Sequence, residues 1–266
     1  MRLAPTLAAA LVAFATATLD AAGRAEGPAM VPFDGVTFRM GSADADGEPN
    51  EHPAHDVTLG AYLLDRTEVT AGAYRACVAR GACEAPASRA RLCTVAHGPA
   101  EAPASCVSWQ QADTYCRAVG KRLPTEAEWE HAARGGARGP WPWGDAKPTC
   151  ERAVTLLGDH SGRSCSPGGP APVGTHPEGA TPHGVEDLTG NVAEWVADWY
   201  ADHYLGGGGS AERGPAWGVA HVLRGGSFRS WPRDARVTAR SWATSGEAGP
   251  GVGFRCARDA QLAATP

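Results

Sequence analysis

Eight cysteines behind an export leader constrain this chain more than any other feature of its sequence. A signal peptide is predicted at residues 1–25, where Arg2 precedes an apolar run from Leu7 to Leu19 that is too short to span a membrane. Export, to the periplasm or outside the cell, puts the cysteines in an oxidising compartment where disulfides persist. We therefore expect four disulfides among Cys77, Cys83, Cys93, Cys106, Cys116, Cys150, Cys165 and Cys256.

Residue spacing and composition exclude several kinds of fold, metal site and binding partner. The sequence has no C-x-x-C pair and no H-x-x-x-H helix, so a structural zinc site is not expected. The 34 glycines and 21 prolines argue against a helical bundle and favour a fold rich in turns. A formal net charge of -5 without a cluster of Lys or Arg argues against nucleic acid as a partner. No apolar stretch after the leader reaches 18 residues, so no membrane span is expected.

Three helices are predicted from their capping residues. Thr70 can cap a helix over residues 71–80, and Ser108 can cap one over residues 109–119. Thr125 and Glu128 form a capping-box pattern that opens a third helix, ending at Gly135. Short apolar stretches between turn residues predict strands at residues 57–64, 222–228 and 252–256, which gives an α+β chain with much irregular backbone. The tetraglycine at residues 206–209 is predicted to be a surface loop.

Six motifs in order resemble the formylglycine-generating enzyme family, also called the sulfatase-modifying factor family. They are Phe38-Arg39-Met40-Gly41-Ser42, Asp65-Arg66-Thr67-Glu68-Val69-Thr70, Gly120-Lys121-Arg122-Leu123-Pro124-Thr125-Glu126-Ala127-Glu128-Trp129-Glu130, Asp187-Leu188-Thr189-Gly190-Asn191-Val192-Ala193-Glu194-Trp195, Arg224-Gly225-Gly226-Ser227-Phe228 and Gly253-Phe254-Arg255-Cys256. The resemblance implies one domain over residues 26–266, with an α+β fold related to C-type lectins and little regular secondary structure.

The resemblance also implies where an oxidase site would lie. In sulfatase-activating members, a copper-bound cysteine pair shortly after the Gly-Gly-Ser-aromatic motif oxidises a substrate cysteine to formylglycine with molecular oxygen. Here Ser230 stands in the place of the first cysteine, and the second falls near Ala235. A hard serine oxygen does not replace a soft thiolate on copper(I). Ala193 and Gly251 also stand where the family has a tryptophan and often an asparagine, so copper oxidase activity is not expected.

Two structural features are carried over from the family. Cys116 and Cys256 match its disulfide, whereas the positions of a second frequent bridge, near Ala133 and Val237, have both lost their cysteines. For the other six cysteines, closeness in sequence suggests Cys77 with Cys83, Cys93 with Cys106 and Cys150 with Cys165, although spacing alone does not fix connectivity.

The second feature is a calcium site. The family places a calcium ion at positions that match Asp187, Gly190, Val192 and Glu194. Two carboxylates and two main-chain carbonyls at a tight turn are hard oxygen ligands suited to Ca²⁺. From the residues alone, an Asp at a turn with a Glu beyond it is usually a cap and a solvated acid. The resemblance favours structural calcium.

The expected cleft offers Ser227, Ser230 and Arg240 as candidate functional residues. A serine nucleophile needs a base, and the sequence places no histidine beside either serine. Arginines at the cleft could bind a carboxylate or a sulfate group of a ligand.

The sequence leaves two candidate functions. The first is an exported, calcium-stabilised module that binds a peptide or a glycan without copper oxidase activity. The alternative is an enzyme with formylglycine-generating or other oxidative or maturation chemistry in the same cleft.

Overall fold

The computed structural model describes residues 28–43, 47–137, 139–159, 161–204 and 214–260. The predicted leader and the tetraglycine therefore lie outside the described residues. Within them the α+β prediction is confirmed: the strands are β1 (Met30–Phe33), β2 (Val36–Met40), β3 (His55–Leu59), β4 (Tyr62–Asp65), β5 (Ala193–Trp199), β6 (Ala220–Arg224), β7 (Arg240–Thr244), β8 (Val252–Phe254) and β9 (Ala257–Asp259). The α-helices are α1 (Ala71–Ala79), α2 (Thr94–His97), α3 (Trp109–Ala118) and α4 (Glu126–Arg134).

The three predicted helices form and begin at the predicted caps. The Thr70 side chain accepts a hydrogen bond from the main chain of α1, and Ser108 and Thr125 each close a reciprocal capping box with the third residue of their helix. Helix α4 ends at Gly135, whose φ of 53° is readily accessible to glycine. The short helix α2, which follows Cys93, was not predicted because four residues give no periodicity to read.

Each predicted strand is shorter than expected, for local reasons. The stretch 57–64 is divided near Gly60 into β3 and β4, which pair in two different sheets. The stretch 222–228 stops at the end of β6 because Gly225 and Gly226 turn the chain with φ values of 84° and 66°. The stretch 252–256 stops at the end of β8, and the next two residues leave the ladder before β9 begins. These breaks put neighbouring apolar runs into separate layers.

The sheets enclose two hydrophobic cores that share strand β5. The four-stranded sheet has the order β7-β6-β5-β8, with β5 and β8 parallel, and the others are β1-β4-β9 and β2-β3. One core, here called the α4 core, contains Trp129, Ala133 and Val237. The other, here called the α1–α3 core, contains Tyr74, Tyr115 and Phe254. Strand β5 sends Val196 into the first and Trp195 into the second, and so joins them into one unit.

All eight cysteines are paired, in the combination that the sequence suggested. The bridges are Cys77–Cys83, Cys93–Cys106, Cys116–Cys256 and Cys150–Cys165. The third bridge ties α3 to the residues between β8 and β9 across a separation of 140 residues. No helix in the described part of the chain is long and apolar enough to cross a membrane.

Candidate functional site

The two glycines after β6 bring the candidate serines together. The Ser227 main-chain N–H donates to the Ser230 hydroxyl at 3.0 Å, and the two hydroxyl oxygens lie 3.5 Å apart. The main-chain N–H of Arg229 donates to the Ser227 hydroxyl at 3.2 Å. The serine pair therefore closes its own tight turn by hydrogen bonds.

The positions expected for a copper-binding pair also meet at this turn. A Cβ atom built on Gly226 would lie 3.1 Å from the Ser230 Cβ and 2.9 Å from the Ala235 Cβ, so both residues pack against this glycine. The two positions hold a hydroxyl and a methyl group instead of two thiols. Because every cysteine of the chain is in a disulfide, no free thiol remains elsewhere to supply the ligand.

Small residues surround Ser227 on its other side. A Cβ atom on Gly251 would lie 3.0 Å from the Ser227 hydroxyl oxygen, and the Gly251 carbonyl accepts a 2.8 Å hydrogen bond from the Ala193 N–H. Within the described residues, the hydroxyls of Ser227 and Ser230 interact with each other and with main-chain N–H groups, and with no histidine, lysine or carboxylate. Among these described contacts, no group is in place to deprotonate either serine.

Arg240 is buried in the interior and is engaged in hydrogen bonds there. Its side chain is 3% exposed and donates to both carboxylate oxygens of Glu126, at 2.6 and 3.0 Å. It also donates to the carbonyls of Asn50 and Ala201 and lies 4.2 Å from the ring centre of Tyr204. Burial disfavours the charged guanidinium, but Glu126 outweighs that cost and raises the pKa of Arg240 above its usual range. The structure thus brings Ser227 and Ser230 together and binds Arg240 to Glu126.

The proposed calcium turn has the backbone shape that the sequence predicts. Asp187 and Asn191 have positive φ values of 60° and 59°, and Gly190 has a φ of 81°. A Cβ atom on Gly190 would come within 2.3 Å of the Val154 carbonyl oxygen, so only glycine fits this position. The turn leads directly into β5.

The two carboxylates predicted at this turn, those of Asp187 and Glu194, differ in how many of their oxygens are already bound by other groups of the protein. Both Glu194 oxygens accept from Arg255, at 2.7 and 2.8 Å, and one also accepts from the Trp129 indole at 2.9 Å. Asp187 accepts from the Gly174 N–H at 2.6 Å. Within the described residues, no three His, Cys, Asp or Glu side chains are grouped to hold a metal ion. The Glu194 carboxylate, already neutralised by Arg255, is therefore a poor calcium ligand, and the site would depend on Asp187 and main-chain carbonyls.

Glu68 is an acidic neighbour of this turn that the sequence reasoning did not single out. It is fully buried, and one oxygen accepts from the Asn191 side chain at 3.0 Å while the other has no hydrogen-bond partner. The buried hydroxyl of Thr189 also has no partner. Burial, followed by the nearby charge of Asp187, holds the pKa of Glu68 well above its usual range. Glu68 lies in one of the six family-like motifs. The sequence gives no sign that its side chain is buried, because segments distant in the chain bury it.

A large cavity lies beyond Ser230, between the end of β2, the loop after α4 and the segment 231–238. Its volume is about 1000 Å³. Its walls include Trp141 and Trp231, both half-buried. The charged residues that line it are Arg39, Arg134, Lys147, Arg233, Arg236 and Asp145. A cavity of this volume is large enough for a ligand of more than a few atoms.

Similar proteins are known for nearly the whole chain. A model of the sulfatase-modifying factor enzyme 1-like domain matches residues 15–260. The formylglycine-generating enzyme of Streptomyces coelicolor is 33% identical and aligns with 87% of this chain and 90% of its own. The inactive C-alpha-formylglycine-generating enzyme 2 of Mus musculus is 32% identical, with coverage of 90% and 88%. The structure of PvdO from Pseudomonas aeruginosa superposes with a TM-score of 0.73 at 29% identity, covering 88% of this chain and 95% of that one.

Proposed function

The chain belongs to the sulfatase-modifying factor family, and we propose that within it the protein is a peptide- or glycan-binding module without copper oxidase activity. The family alone does not decide between binding and catalysis, because one fold hosts several activities. The named relatives include both a formylglycine-generating enzyme and a protein whose name describes it as inactive. The decision therefore depends on the residues of this chain.

The observation that carries the proposal is the pair of residues packed against Gly226. By the family resemblance, Ser230 stands in the place of the first copper-binding cysteine and the second falls near Ala235; both residues pack against Gly226. Copper(I) prefers soft sulfur ligands, and neither a hydroxyl nor a methyl group provides one. With all eight cysteines in disulfides, the chain has no thiolate to offer in their place.

The surroundings of Ser227 support binding over a different chemistry. The Ser227 and Ser230 hydroxyls have no base among their described contacts, and Ala193 and Gly251 add no acid, base or nucleophile to the turn. The cavity beyond Ser230 remains large enough to hold a ligand. The alternative, an enzyme with formylglycine-generating or another maturation chemistry in this cleft, would need a catalytic group that is not among the described contacts of the two serines.

Export and calcium complete the proposal. Four disulfides in a chain of this length are typical of proteins that fold in an oxidising compartment, which supports the signal peptide at residues 1–25 and a periplasmic or secreted location. Two buried oxygens without a described hydrogen-bond partner support a structural calcium ion at the Asp187 turn: that of Thr189, within the turn, and one of Glu68, whose other oxygen accepts from Asn191 of the turn. The role of the calcium ion would be to stabilise the start of β5.

The test is anaerobic copper(I) titration of the mature protein, followed by oxygen uptake in the presence of a cysteine peptide of the sulfatase type. We expect neither stoichiometric copper nor turnover. The matched control is S230C/A235C, which places two thiols at the Gly226 turn and is expected to bind copper(I) when reduced. Stoichiometric copper with oxygen uptake by the unmodified protein would overturn the proposal.

A further inference from the structure

The charged groups around the large cavity are unequally distributed between the two signs. Five cationic side chains line it, and Asp145 is the single carboxylate among the described lining residues. This contrasts with the whole chain, which carries a formal net charge of -5. An opening lined by one sign of charge raises the local concentration of ligands of the opposite sign. The imbalance therefore points to an anionic ligand.

Two of the cations are held in place by buried acids. Arg236 donates to both carboxylate oxygens of Glu51, at 2.6 and 3.0 Å, which neutralises it. Arg134 donates to Glu130 at 2.8 Å, but the same carboxylate also accepts from the fully buried Arg224 at 2.5 Å. Because one carboxylate serves two guanidinium groups, Arg134 keeps part of its positive charge at the cavity wall.

Three cations remain. Arg39 pairs at 3.3 Å with Asp56, which does not line the cavity, whereas Lys147 and Arg233 are available to a ligand. Lys147 is exposed and makes no ion pair among the described residues. The Arg233 side chain is 78% exposed, and its carboxylate partner is the adjacent Asp234 at 3.4 Å. Exposed pairs of this kind contribute little and are readily exchanged for another anion. Lys147 and Arg233 are therefore the residues through which an anion would be recognised.

The other walls favour a sugar over a peptide main chain. The rings of Trp141 and Trp143 are stacked, with their centres 6.3 Å apart and their planes at 7° to each other. Trp231 is half-buried and lines the same cavity. Flat aromatic faces beside cations suit the apolar face and the charged group of an acidic sugar. Proline at positions 140, 148 and 232 leaves these parts of the wall without the N–H donors that an extended peptide would use.

We propose that this cavity binds a short anionic oligosaccharide, one that carries carboxylate or sulfate groups. The inference rests on the proposed binding function and specifies its ligand. Lys147 and Arg233 contact the anionic groups, Arg134 adds positive charge from the wall, and the tryptophans contact the sugar rings. The cavity volume of about 1000 Å³ is at the upper end of small-ligand sites, which leaves room for several rings.

The experiment is calorimetric titration of the mature protein with four probes of similar length. They are a heparin-derived tetrasaccharide, a tetragalacturonate, the neutral maltotetraose and a tetraglutamate peptide. We expect binding of one or both anionic sugars, weakened by added salt. K147A/R233A should raise the Kd about tenfold, the product of two exposed ionic contacts. The matched control, R117A/R258A, removes two exposed arginines outside the cavity and should leave the Kd unchanged.

Four outcomes would overturn the inference: equal binding of maltotetraose, tighter binding of tetraglutamate, no binding of any probe, or a Kd that K147A/R233A does not change. Equal binding of maltotetraose would leave the proposed binding module standing with a neutral ligand. Copper-dependent oxygen uptake, measured separately, would instead overturn the proposed function itself. Equal melting temperatures of the two double variants exclude misfolding as the cause of lost binding.

Discussion

The two cores of this molecule are cross-linked by different means. The α1–α3 core contains Cys77–Cys83, which closes a short loop at the end of α1, and Cys116–Cys256, which ties α3 to the residues between β8 and β9. The α4 core contains no cysteine among its described members, and beside it lies the fully buried ion pair of Arg224 and Glu130. Buried ion pairs thus lie beside both cores, since Arg255 pairs with Glu194 between members of the α1–α3 core, but only the α1–α3 core has disulfides among its described members.

The difference has a local cause in the α4 core. Ala133 and Val237, the positions near which the family frequently has a second bridge, are both buried there. Arg224 donates to the main-chain carbonyls of Val237, Thr238 and Ala239, at 2.8 to 2.9 Å, while it pairs with Glu130 on α4. Helix α4 and the segment after position 236 are therefore tied together through one arginine. Such a tether depends on hydrogen-bond geometry, whereas a disulfide restricts the unfolded chain as well.

The largest effect is expected from removing the long bridge. In the chain-entropy account, a disulfide that closes 140 residues stabilises the fold by about 5 kcal/mol, before any strain is subtracted. C116A/C256A should lower the free energy of unfolding by about that amount, measured by urea denaturation under non-reducing conditions.

The control for this loss lies in the same core. C77A/C83A opens a loop with a sequence separation of 6, for which the same account gives about 2 kcal/mol. Equal losses for the two double variants would show that local packing, and not the length of the closed loop, determines what these bridges contribute.

The second effect is expected from Arg224, on the other side of the comparison. R224M keeps the volume but leaves Glu130 buried without this partner and three carbonyls without their donor. Removing one member of a buried pair costs about 4 kcal/mol. The measurement is the free energy of unfolding by urea denaturation, and the control is R117M, which breaks the exposed pair with Asp113 and should cost about 0.5 kcal/mol or less. A loss as small as that of R117M would mean that the α4 core does not depend on its charges.

The comparison also explains which parts of the structure the sequence predicts. Local rules are sufficient for the helix starts at Thr70, Ser108 and Thr125, because a cap involves only residues within one turn. Closeness in sequence also suggested the three short bridges, between cysteines 6 to 15 residues apart, but the folded chain was needed to fix their connectivity. The long bridge came from the family resemblance, and no spacing rule would have paired Cys116 with Cys256.

The candidate site is less accessible to sequence reasoning, because distant segments build it. Arg240 and Glu126 are 114 positions apart, so nothing local indicated that this arginine is buried against a carboxylate. Ser227 and Ser230 were found because they follow a motif. The cavity beyond them joins Arg39 of β2 to Lys147 and Arg233, and only the folded chain shows that these charges share one opening.

The smallest effect concerns the strand that the two cores share. The turn from Asp187 to Val192 leads into β5, so a calcium ion bound there would stabilise the α1–α3 core and the α4 core together. At a calcium concentration ten times the Kd, binding adds about 1.4 kcal/mol, which for a chain of this size raises the melting temperature by roughly 4 °C. Thermal melts in excess Ca²⁺ and in EDTA measure that shift. Mg²⁺ at the same concentration should give little of it, because the smaller ion requires stricter geometry and keeps its waters.

D187A should abolish the calcium shift, because Asp187 is the carboxylate at the turn that no arginine neutralises among its described contacts. E194Q is the informative companion. It weakens the pair with Arg255, so it lowers the melting temperature in both solutions but should preserve the difference between them. Loss of the calcium shift in E194Q would show that Glu194 binds the calcium ion directly and is more than the ion-pair partner of Arg255. Identical melts of the unmodified protein in Ca²⁺ and EDTA would instead show that the turn is held by its hydrogen bonds alone, as the α4 core is held by its ion pairs.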